Sequence, residues 1–211
     1  MYHKKQSSED LRVKRTRKLI LEALLDLTIQ KGFAAISVSD ITKRAEINRA
    51  TFYRHYRDKF DVLNQYAQSV YALLETPSRA RPSRSAEDDG RELIPGLIAV
   101  YEHIRSHAKF FKIMLGKNGD PQFTDQIRQY IHKRIKRTLP SGLQVDETYM
   151  DFYLNYRSSA TLGAVVWWLE HDMPYTPEEM VAQTHEIETA ILDRVLRRRS
   201  SKKRLSSNVR R

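Results

Sequence analysis

The sequence contains no cysteine, and only seven glycines and seven prolines among its 211 residues. The absence of cysteine excludes disulfide bonds and thiolate zinc sites, and it agrees with a reducing, cytoplasmic location. Segments in which apolar and polar residues alternate are also absent, which argues against strands. These absences favour an all-helical, cytoplasmic protein.

Long apolar segments are lacking as well. The longest, ATLGAVVWWL at 160–169, is about half a membrane span, so we expect it to form a buried helix. The first eighteen residues are largely polar and lack the apolar stretch of a signal peptide. We therefore expect no membrane partner.

Positive charge is concentrated at the two ends of the chain. The net charge is +11, with 14 Lys and Arg against 9 Asp and Glu in residues 1–75. Residues 76–196 hold 15 basic and 17 acidic side chains, and 197–211 hold eight basic side chains and no acid. A basic head and tail around a slightly acidic middle indicate that one end contacts a polyanion such as nucleic acid.

Apolar residues recur at helical spacing through most of the chain and predict about nine helices. The segment 76–90 interrupts this pattern, because it is rich in Pro, Ser and charged residues. We therefore divide the chain into an N-terminal domain at 1–75, a linker or mobile loop at 76–90, a C-terminal helical domain at 91–198 and a basic, disordered tail at 199–211.

Capping residues mark the helices of the N-terminal domain. Gly32 stands where a long first helix is expected to end. The predicted N-caps are Ser37 with Asp40 three residues later, Asn48, and Asp58 with Asp61 three residues later. Two short helices about four residues apart, the second rich in Arg, His and Tyr, form the pattern of a helix-turn-helix.

The stretch SVSDITKRAEINRATFYRHYRDKFDVL at 37–63 resembles the DNA-binding domain of the TetR family of bacterial transcriptional regulators. The residues that carry the resemblance are Asp40, Ile41, Ala45, Ile47, the TFYRHY run at 51–56, Lys59 and Leu63. It extends back through KLILEALLDLTIQKGF at 18–33 and covers about the first third of the chain. Two residues depart from the family pattern, since Glu46 replaces a usual turn Gly and Ala50 a frequent Gly or Pro.

The resemblance implies a homodimeric regulator that binds a pseudo-palindromic, double-stranded DNA operator and responds to a small-molecule effector. It implies neither an enzyme nor a cofactor. Repression is the simplest output, because steric blocking of a promoter requires only tight binding. Activation would require a polymerase contact that the sequence does not show.

A helix in the major groove presents its N-terminal residues to base edges. We therefore expect Arg49, Ala50 and Thr51 to read bases, with Arg49 pairing to guanine. The side chains expected to contact phosphate are Tyr53, Arg54, His55 and Lys59, together with Ser37 and Ser39 of the preceding helix. Phe52, Tyr56 and Phe60 are expected to form the small core behind them.

The resemblance also implies a ligand-binding, dimerising C-terminal domain. The candidate effector-pocket residues are Phe110, Phe111, Met114, Phe123, Tyr130, Tyr153 and Tyr156, with Arg157 as a candidate anion partner. They would suit an apolar or aromatic effector. The candidate dimer seam comprises Gly163, Val166, Trp167, Ile187, Ile191 and Val195. Ordinary core packing is the alternative for individual members of both sets.

Other chemistry finds little support in the sequence. His103 and His107 form an H-x-x-x-H pair, but no third ligand stands out, so we expect no metal. Nucleophile-elbow and phosphate-loop motifs are absent, which argues against catalysis. The basic tail would add non-specific DNA affinity, contact acidic lipid, or only aid solubility.

Two alternative functions remain open. One is a DNA-organising protein without sequence preference, which would bind any duplex with a steep salt dependence. The other is a peripheral membrane or small-molecule carrier module on a helix-turn-helix scaffold, which would prefer anionic vesicles to DNA. Discrimination between a specific site and bulk DNA at physiological salt separates them from the regulator.

Overall fold

The structure is a computed structural model that describes residues 2–75, 94–117, 119–139 and 146–191. Within these ranges every regular element is an α-helix, as predicted. The nine helices of the described ranges are α1 at Tyr2–Lys31, α2 at Val38–Arg44, α3 at Arg49–Tyr53, α4 at Lys59–Leu74, α5 at Ile94–Ser106, α6 at Ala108–Met114, α7 at Pro121–Thr138, α8 at Glu147–Glu170 and α9 at 177–191. The predicted linker at 76–90 and tail at 199–211 lie outside the described residues.

Helices α1 to α4 form the head, in which each helix buries one apolar face. Its buried core includes Ile20, Leu24, Ile41, Phe52, Tyr56, Val62 and Leu63. The prediction that Phe60 joins this core is wrong, because its side chain is 42% exposed. Phe60 lies in the first turn of α4, and its ring packs edge-on against Phe33 at the surface.

The caps that begin α2, α3 and α4 are confirmed. Ser37 Oγ accepts from the Asp40 backbone N–H at 3.2 Å, and the Asp40 carboxylate accepts from the Ser37 N–H at 2.8 Å. Asn48 and Asp58 each accept from a backbone N–H of the following turn at 2.8 Å. These bonds satisfy amide groups that a helix N-terminus leaves unpaired. The starts of the three helices are thus fixed by local sequence.

The turn between α2 and α3 keeps its shape without glycine. Glu46 has φ +53°, a left-handed backbone conformation that is costly for a residue with a Cβ. Ala45 closes α2 through its N–H to the Ile41 carbonyl at 2.8 Å, and the Ile47 N–H then reaches the Thr42 carbonyl at 3.0 Å. The departure from the usual Gly therefore leaves a strained residue inside a formed turn.

Helices α5 to α9 form the body, which meets the head through α4 and α1. Tyr66 of α4 lies at this joint, and its ring centroid is 5.6 Å from those of His103 in α5 and Phe110 in α6. The buried apolar cluster is continuous from α1 through the joint to Trp168 of α8. Head and body therefore share one core.

Helices α8 and α9 are joined by a turn that Trp168 fixes. Its fully buried indole donates to the Tyr175 carbonyl at 2.8 Å. Thr176 caps α9, because its hydroxyl accepts from the Glu179 N–H at 3.2 Å and the Glu179 carboxylate accepts from the Thr176 N–H at 2.7 Å. Among the described helices, none combines the length and apolarity required to cross a lipid bilayer.

Candidate nucleic-acid interface

The end of the head formed by α2 and α3 carries the predicted base-reading residues. Phe52 is fully buried and anchors α3 on the core, so the opposite face of this short helix points outward. Arg49 and Ala50 are exposed, and Thr51 is half-buried. The arrangement is an outward-facing helix that starts with an arginine, a small residue and a threonine.

Basic side chains on this surface lack acidic partners. Lys43, Arg49, Arg54 and Arg17 are exposed, and none forms an ion pair with another residue in the described ranges. In contrast, Arg44 elsewhere on the head bonds to Asp26 at 2.7 Å. Unpaired cations on one surface create a positive potential that attracts phosphate.

His55 shows the effect of these charges. Partial burial lowers its pKa, and the neighbouring Arg17 and Arg54 lower it further by charge repulsion. Arg17 of α1 therefore lies close to the end of α3. Sequence reasoning assigned no role to Arg17, because only the packing of the head brings α1 close to the end of α3. Lys43, in the last turn of α2 before the turn into α3, was also given no role.

The two serines expected to contact phosphate differ in their freedom to do so. The Ser37 hydroxyl donates to the Asp40 carboxylate at 2.6 Å and accepts from the Asp40 N–H, so the capping box already engages it. Ser39 is exposed, and its hydroxyl makes no hydrogen bond within the described residues. Ser39 is therefore the better placed of the two.

Lys59 is occupied by the protein itself, which corrects its expected contact with phosphate. Its ammonium group donates to the carbonyl oxygens of Phe33, Ala34 and Ile36, each at 2.9 Å. An ammonium has three N–H donors, so none remains for a phosphate. Burial also lowers the pKa of Lys59. Lys59 ties the loop between α1 and α2 to the start of α4.

The predicted pocket residues do not gather around one cavity of the described structure. Phe110, Phe111, Met114 and Phe123 are buried in the main core, and Tyr153 belongs to a second, smaller cluster. Tyr130 stacks on Tyr71 with 3.7 Å between ring centroids. Both tyrosines line a groove of about 350 Å³ between α4 and α7, whose other walls are mostly amide side chains.

Two further predicted pocket residues face elsewhere. Tyr156 is 54% exposed on the outer face of α8. Arg157 bonds to Glu188 of α9 at 2.5 Å, so an acidic residue of the protein already neutralises it. The Arg157 guanidinium is therefore already paired in this structure and is not free to bind the anionic group of a ligand.

Aromatic side chains instead form an exposed stripe along α8. Phe152, Tyr156 and Trp167 are 65%, 54% and 42% exposed, and Gly163 is exposed between them. At about 100° of rotation per residue, these four positions fall within an arc of roughly 60° around the helix axis, so they share one face. Ile187 of α9 is exposed as well, whereas Val166 and Ile191 are half-buried. Val195 lies outside the described residues.

His103 and His107 are held by hydrogen bonds within the protein. His103 Nε2 lies 2.8 Å from the Tyr66 hydroxyl, and His107 Nδ1 lies 3.0 Å from the His103 carbonyl. Their rings stack at 4.5 Å. No group of three potential ligands for a metal ion occurs among the described residues.

An all-helical fold with a basic helix-turn-helix head defines a class of DNA-binding regulators. Family models match both parts of the chain, "Bacterial regulatory proteins, tetR family" at residues 20–66 and "Transcriptional regulator C-terminal region" at residues 91–189. Together they match more than half of the chain. The chain belongs to the TetR family of transcriptional regulators.

Individual relatives agree with this assignment. The HTH-type transcriptional regulator YxbF of Bacillus subtilis strain 168 is 42% identical over 174 residues, which are 80% of this chain and 43% of that protein. The chain spans only about two fifths of the length of the curated relatives that it matches first.

Solved structures share the fold. The dihydroxyacetone kinase operon activator DhaS aligns with TM-score 0.57 and 18% identity, over 84% of this chain and 96% of that one. The Thermus thermophilus repressor FadR in complex with lauroyl-CoA aligns with TM-score 0.52 and 18% identity, over 81% and 92%. At these identities the likeness concerns the fold alone.

Proposed function

We propose that this protein binds a pseudo-palindromic DNA operator as a homodimer, represses transcription there, and leaves the operator when a small molecule binds to the body. The observation that carries the proposal is the outward face of α3, where Arg49, Ala50 and Thr51 stand beside unpaired cations. Such a face combines groups for base edges with groups for phosphates. Symmetric half-sites would lie one helical turn, or a multiple of it, apart.

The proposed contacts divide into two kinds. Arg49, Ala50 and Thr51 read bases, whereas Lys43, Arg54 and Arg17 contact phosphates, together with Tyr53, His55 and Ser39. Lys59 and Ser37 are left out of the set, because their polar groups are bonded within the head.

Fluorescence anisotropy tests the proposal directly. The probe is the DNA upstream of the gene that encodes the protein, the control is a shuffled duplex, and the salt series includes about 0.15 M. We expect a preference of about a thousandfold or more for the upstream DNA. If both duplexes bind equally and selection from random duplexes finds no preferred site, the protein coats DNA without reading it.

Arg49→Ala tests the assignment of a base reader. The substitution removes a bidentate donor pair, so we expect a loss of roughly 1–3 kcal/mol and a relaxed preference at one position of each half-site. Lys43→Ala serves as the control, because removal of a phosphate contact weakens all sequences about equally. Unchanged specificity in the Arg49 variant contradicts the assignment.

Repression is proposed because blocking a promoter requires only binding. A repressor and an activator both occur among the solved structures that share the fold, so the fold does not favour either sign. A reporter gene behind the operator measures the sign, and we expect its expression to rise when the protein is deleted. A fall in expression would reverse this part of the proposal.

The effector is proposed to be apolar or aromatic, and the apolar lauroyl chain of the lauroyl-CoA in complex with the structurally similar FadR agrees with an apolar part of the ligand. A thermal-shift screen of metabolites identifies a stabilising compound, because a ligand that binds only the folded state raises its stability. We expect that compound to weaken operator binding in the anisotropy assay. A compound that stabilises the protein and leaves DNA binding unchanged is a ligand without an effector role.

A further inference from the structure

Helix α1 is longer than its packing in the head requires. The family match begins at residue 20, and from residue 10 onward, where burial is described, the first buried side chain is that of Ile20. The helix nevertheless extends back to Tyr2, about 27 Å further at roughly 1.5 Å per residue. Between residues 10 and 19 no side chain is buried. This segment, the α1 arm, therefore does not contribute a buried side chain to the core.

The α1 arm is strongly basic. Its exposed cations are Arg12, Lys14, Arg15, Arg17 and Lys18, and its only acidic residue is Asp10. Lys18 pairs with Glu22 at 3.7 Å, whereas the other four form no ion pair within the described residues. Unpaired like charges on one helix repel each other, so an anionic partner would relieve this repulsion.

The α1 arm is continuous with the surface proposed to meet DNA. Arg17 lies near His55 and Tyr56 at the end of the recognition segment, where its charge influences the pKa of both side chains. The unpaired Arg54 neighbours the same histidine. Arg17 and Arg54 therefore bring unpaired positive charge from α1 and from the end of α3 to the same histidine.

We propose that the α1 arm is a second DNA contact, on the phosphates that flank the half-site read by α3. The inference rests on the proposed function and extends its footprint. Phosphates are the partners because long, exposed Lys and Arg side chains surround the helix and no outward group fixes a base-reading geometry. DNA is favoured over other polyanions because Arg17, in the arm, lies close to His55 and Arg54 of the segment proposed to bind DNA.

The test compares two variants in which the same amount of charge is removed. The arm variant is Arg12→Gln, Lys14→Gln and Arg15→Gln, since Gln maintains helix propensity at exposed positions and Arg17 is left in place because it already belongs to the proposed phosphate contacts. The matched control is Lys133→Gln, Lys136→Gln and Arg137→Gln, three exposed residues of α7 in the body. Circular dichroism and thermal melting confirm that both variants fold.

We measure the salt dependence of binding to the operator and to a shuffled duplex, with and without about ten flanking base pairs on each side. For the arm variant we expect the slope of log K against log salt to fall by about 0.9 for each phosphate that the variant no longer neutralises, on both duplexes. The preference for the operator should remain. Removal of the flanks should weaken binding by the wild type and hardly affect the arm variant.

Three results would overturn the inference. The first is a salt slope and flank dependence equal to those of wild type, and the second is an equal fall in the α7 control. The third is that wild type binds anionic vesicles and the arm variant does not, while the salt dependence of DNA binding is the same for both. A wild type that fails to distinguish the operator contradicts the proposed function instead, and the slope on the shuffled duplex still tests the arm.

Discussion

At the scale of single residues, Lys59 shows how a basic side chain in a DNA-binding segment serves the fold. Its ammonium bonds to three carbonyls of the loop after α1 and lies 4.8 Å from the Phe33 ring centroid and 5.4 Å from that of Phe60. The carbonyls and rings are the kinds of groups that stabilise a cation. Lys59 thus holds the start of α4 against the loop that leads into α2.

Lys59→Met should therefore lower stability and leave the electrostatics of DNA binding unchanged. The loss of charge-assisted hydrogen bonds to three carbonyls should cost roughly 1–3 kcal/mol of unfolding free energy. Urea denaturation measures this cost, and the salt dependence of DNA binding should match wild type. Lys43→Met, at an exposed and unpaired position, should show the reverse behaviour. If the Lys59 variant shows a reduced salt dependence of DNA binding and unchanged stability, Lys59 contacts phosphate after all.

Glu46 provides a second prediction at this scale. Its left-handed backbone at φ +53° is disfavoured for residues with a Cβ and accessible to glycine. Glu46→Gly should therefore raise the unfolding free energy by about 0.5–1 kcal/mol, a gain reduced by the greater freedom of glycine in the unfolded chain. Glu46→Ala is the control, because it removes the carboxylate and keeps the strain. Equal stability of the two variants would show that charge, and not backbone conformation, matters here.

At the scale of elements, the joint between head and body is built around Tyr66. Its hydroxyl lies 2.8 Å from His103 Nε2, and its ring contacts His103, His107, Phe110 and Phe111. These contacts join α4 of the head to α5 and α6 of the body. If the proposed effector shifts α5 or α6, Tyr66 is the side chain through which α4 would follow.

The same joint should make stability depend on pH. Burial, and then the neighbouring His107, lower the pKa of His103 below its ordinary value of 6.5. The unfolded chain consequently binds a proton at this site more readily, so stability falls as pH decreases below about 6.5. In His103→Gln, the unfolding free energy measured by urea denaturation should therefore decrease less between about pH 6.5 and 5 than it does in wild type. An unchanged profile would assign the dependence to other groups, of which His55 shifts in the same direction.

The sequence predicts where a helix starts better than it predicts which residues surround a given side chain in the folded protein. The caps at Ser37, Asn48 and Asp58 follow from side chains that bond within their own turn, so neighbouring residues suffice to predict them. The partners of Lys59 are carbonyl groups more than twenty residues away in the sequence. Tyr156 lies on the exposed face of α8, and the spacing of apolar residues along this helix does not distinguish that face from the buried one. The helix-turn-helix was therefore predictable, and the division between pocket, core and outer face was not.

At the scale of the whole molecule, the stripe along α8 suggests how two copies associate. Phe152, Tyr156, Gly163 and Trp167 share one face, and exposed Ile187 of α9 lies on the helix that follows. Contiguous exposed apolar surface of this kind is typical of an interaction site. A homodimer would bury it twice in a self-complementary contact, with Gly163 allowing close approach of the helices.

Phe152→Arg should therefore separate the dimer. The substitution introduces one charge from each protomer into an apolar interface, where desolvation without a partner is strongly unfavourable. Light scattering after size exclusion should report a monomer for the variant at micromolar concentration and a dimer for wild type. Ile29→Arg is the control, because Ile29 is exposed at 40% on α1, outside both the α8 stripe and the α1 arm.

Operator binding links this interface to the proposed function. A monomer engages one half-site at a time, and without the effective concentration provided by the dyad its affinity should fall by about a hundredfold or more. The variant should keep its helical circular dichroism. On a duplex that contains only one half-site, the variant and wild type should bind with similar, weak affinity. If Phe152→Arg stays dimeric and binds the operator normally, the α8 stripe faces another partner, and the two heads are joined through a different surface.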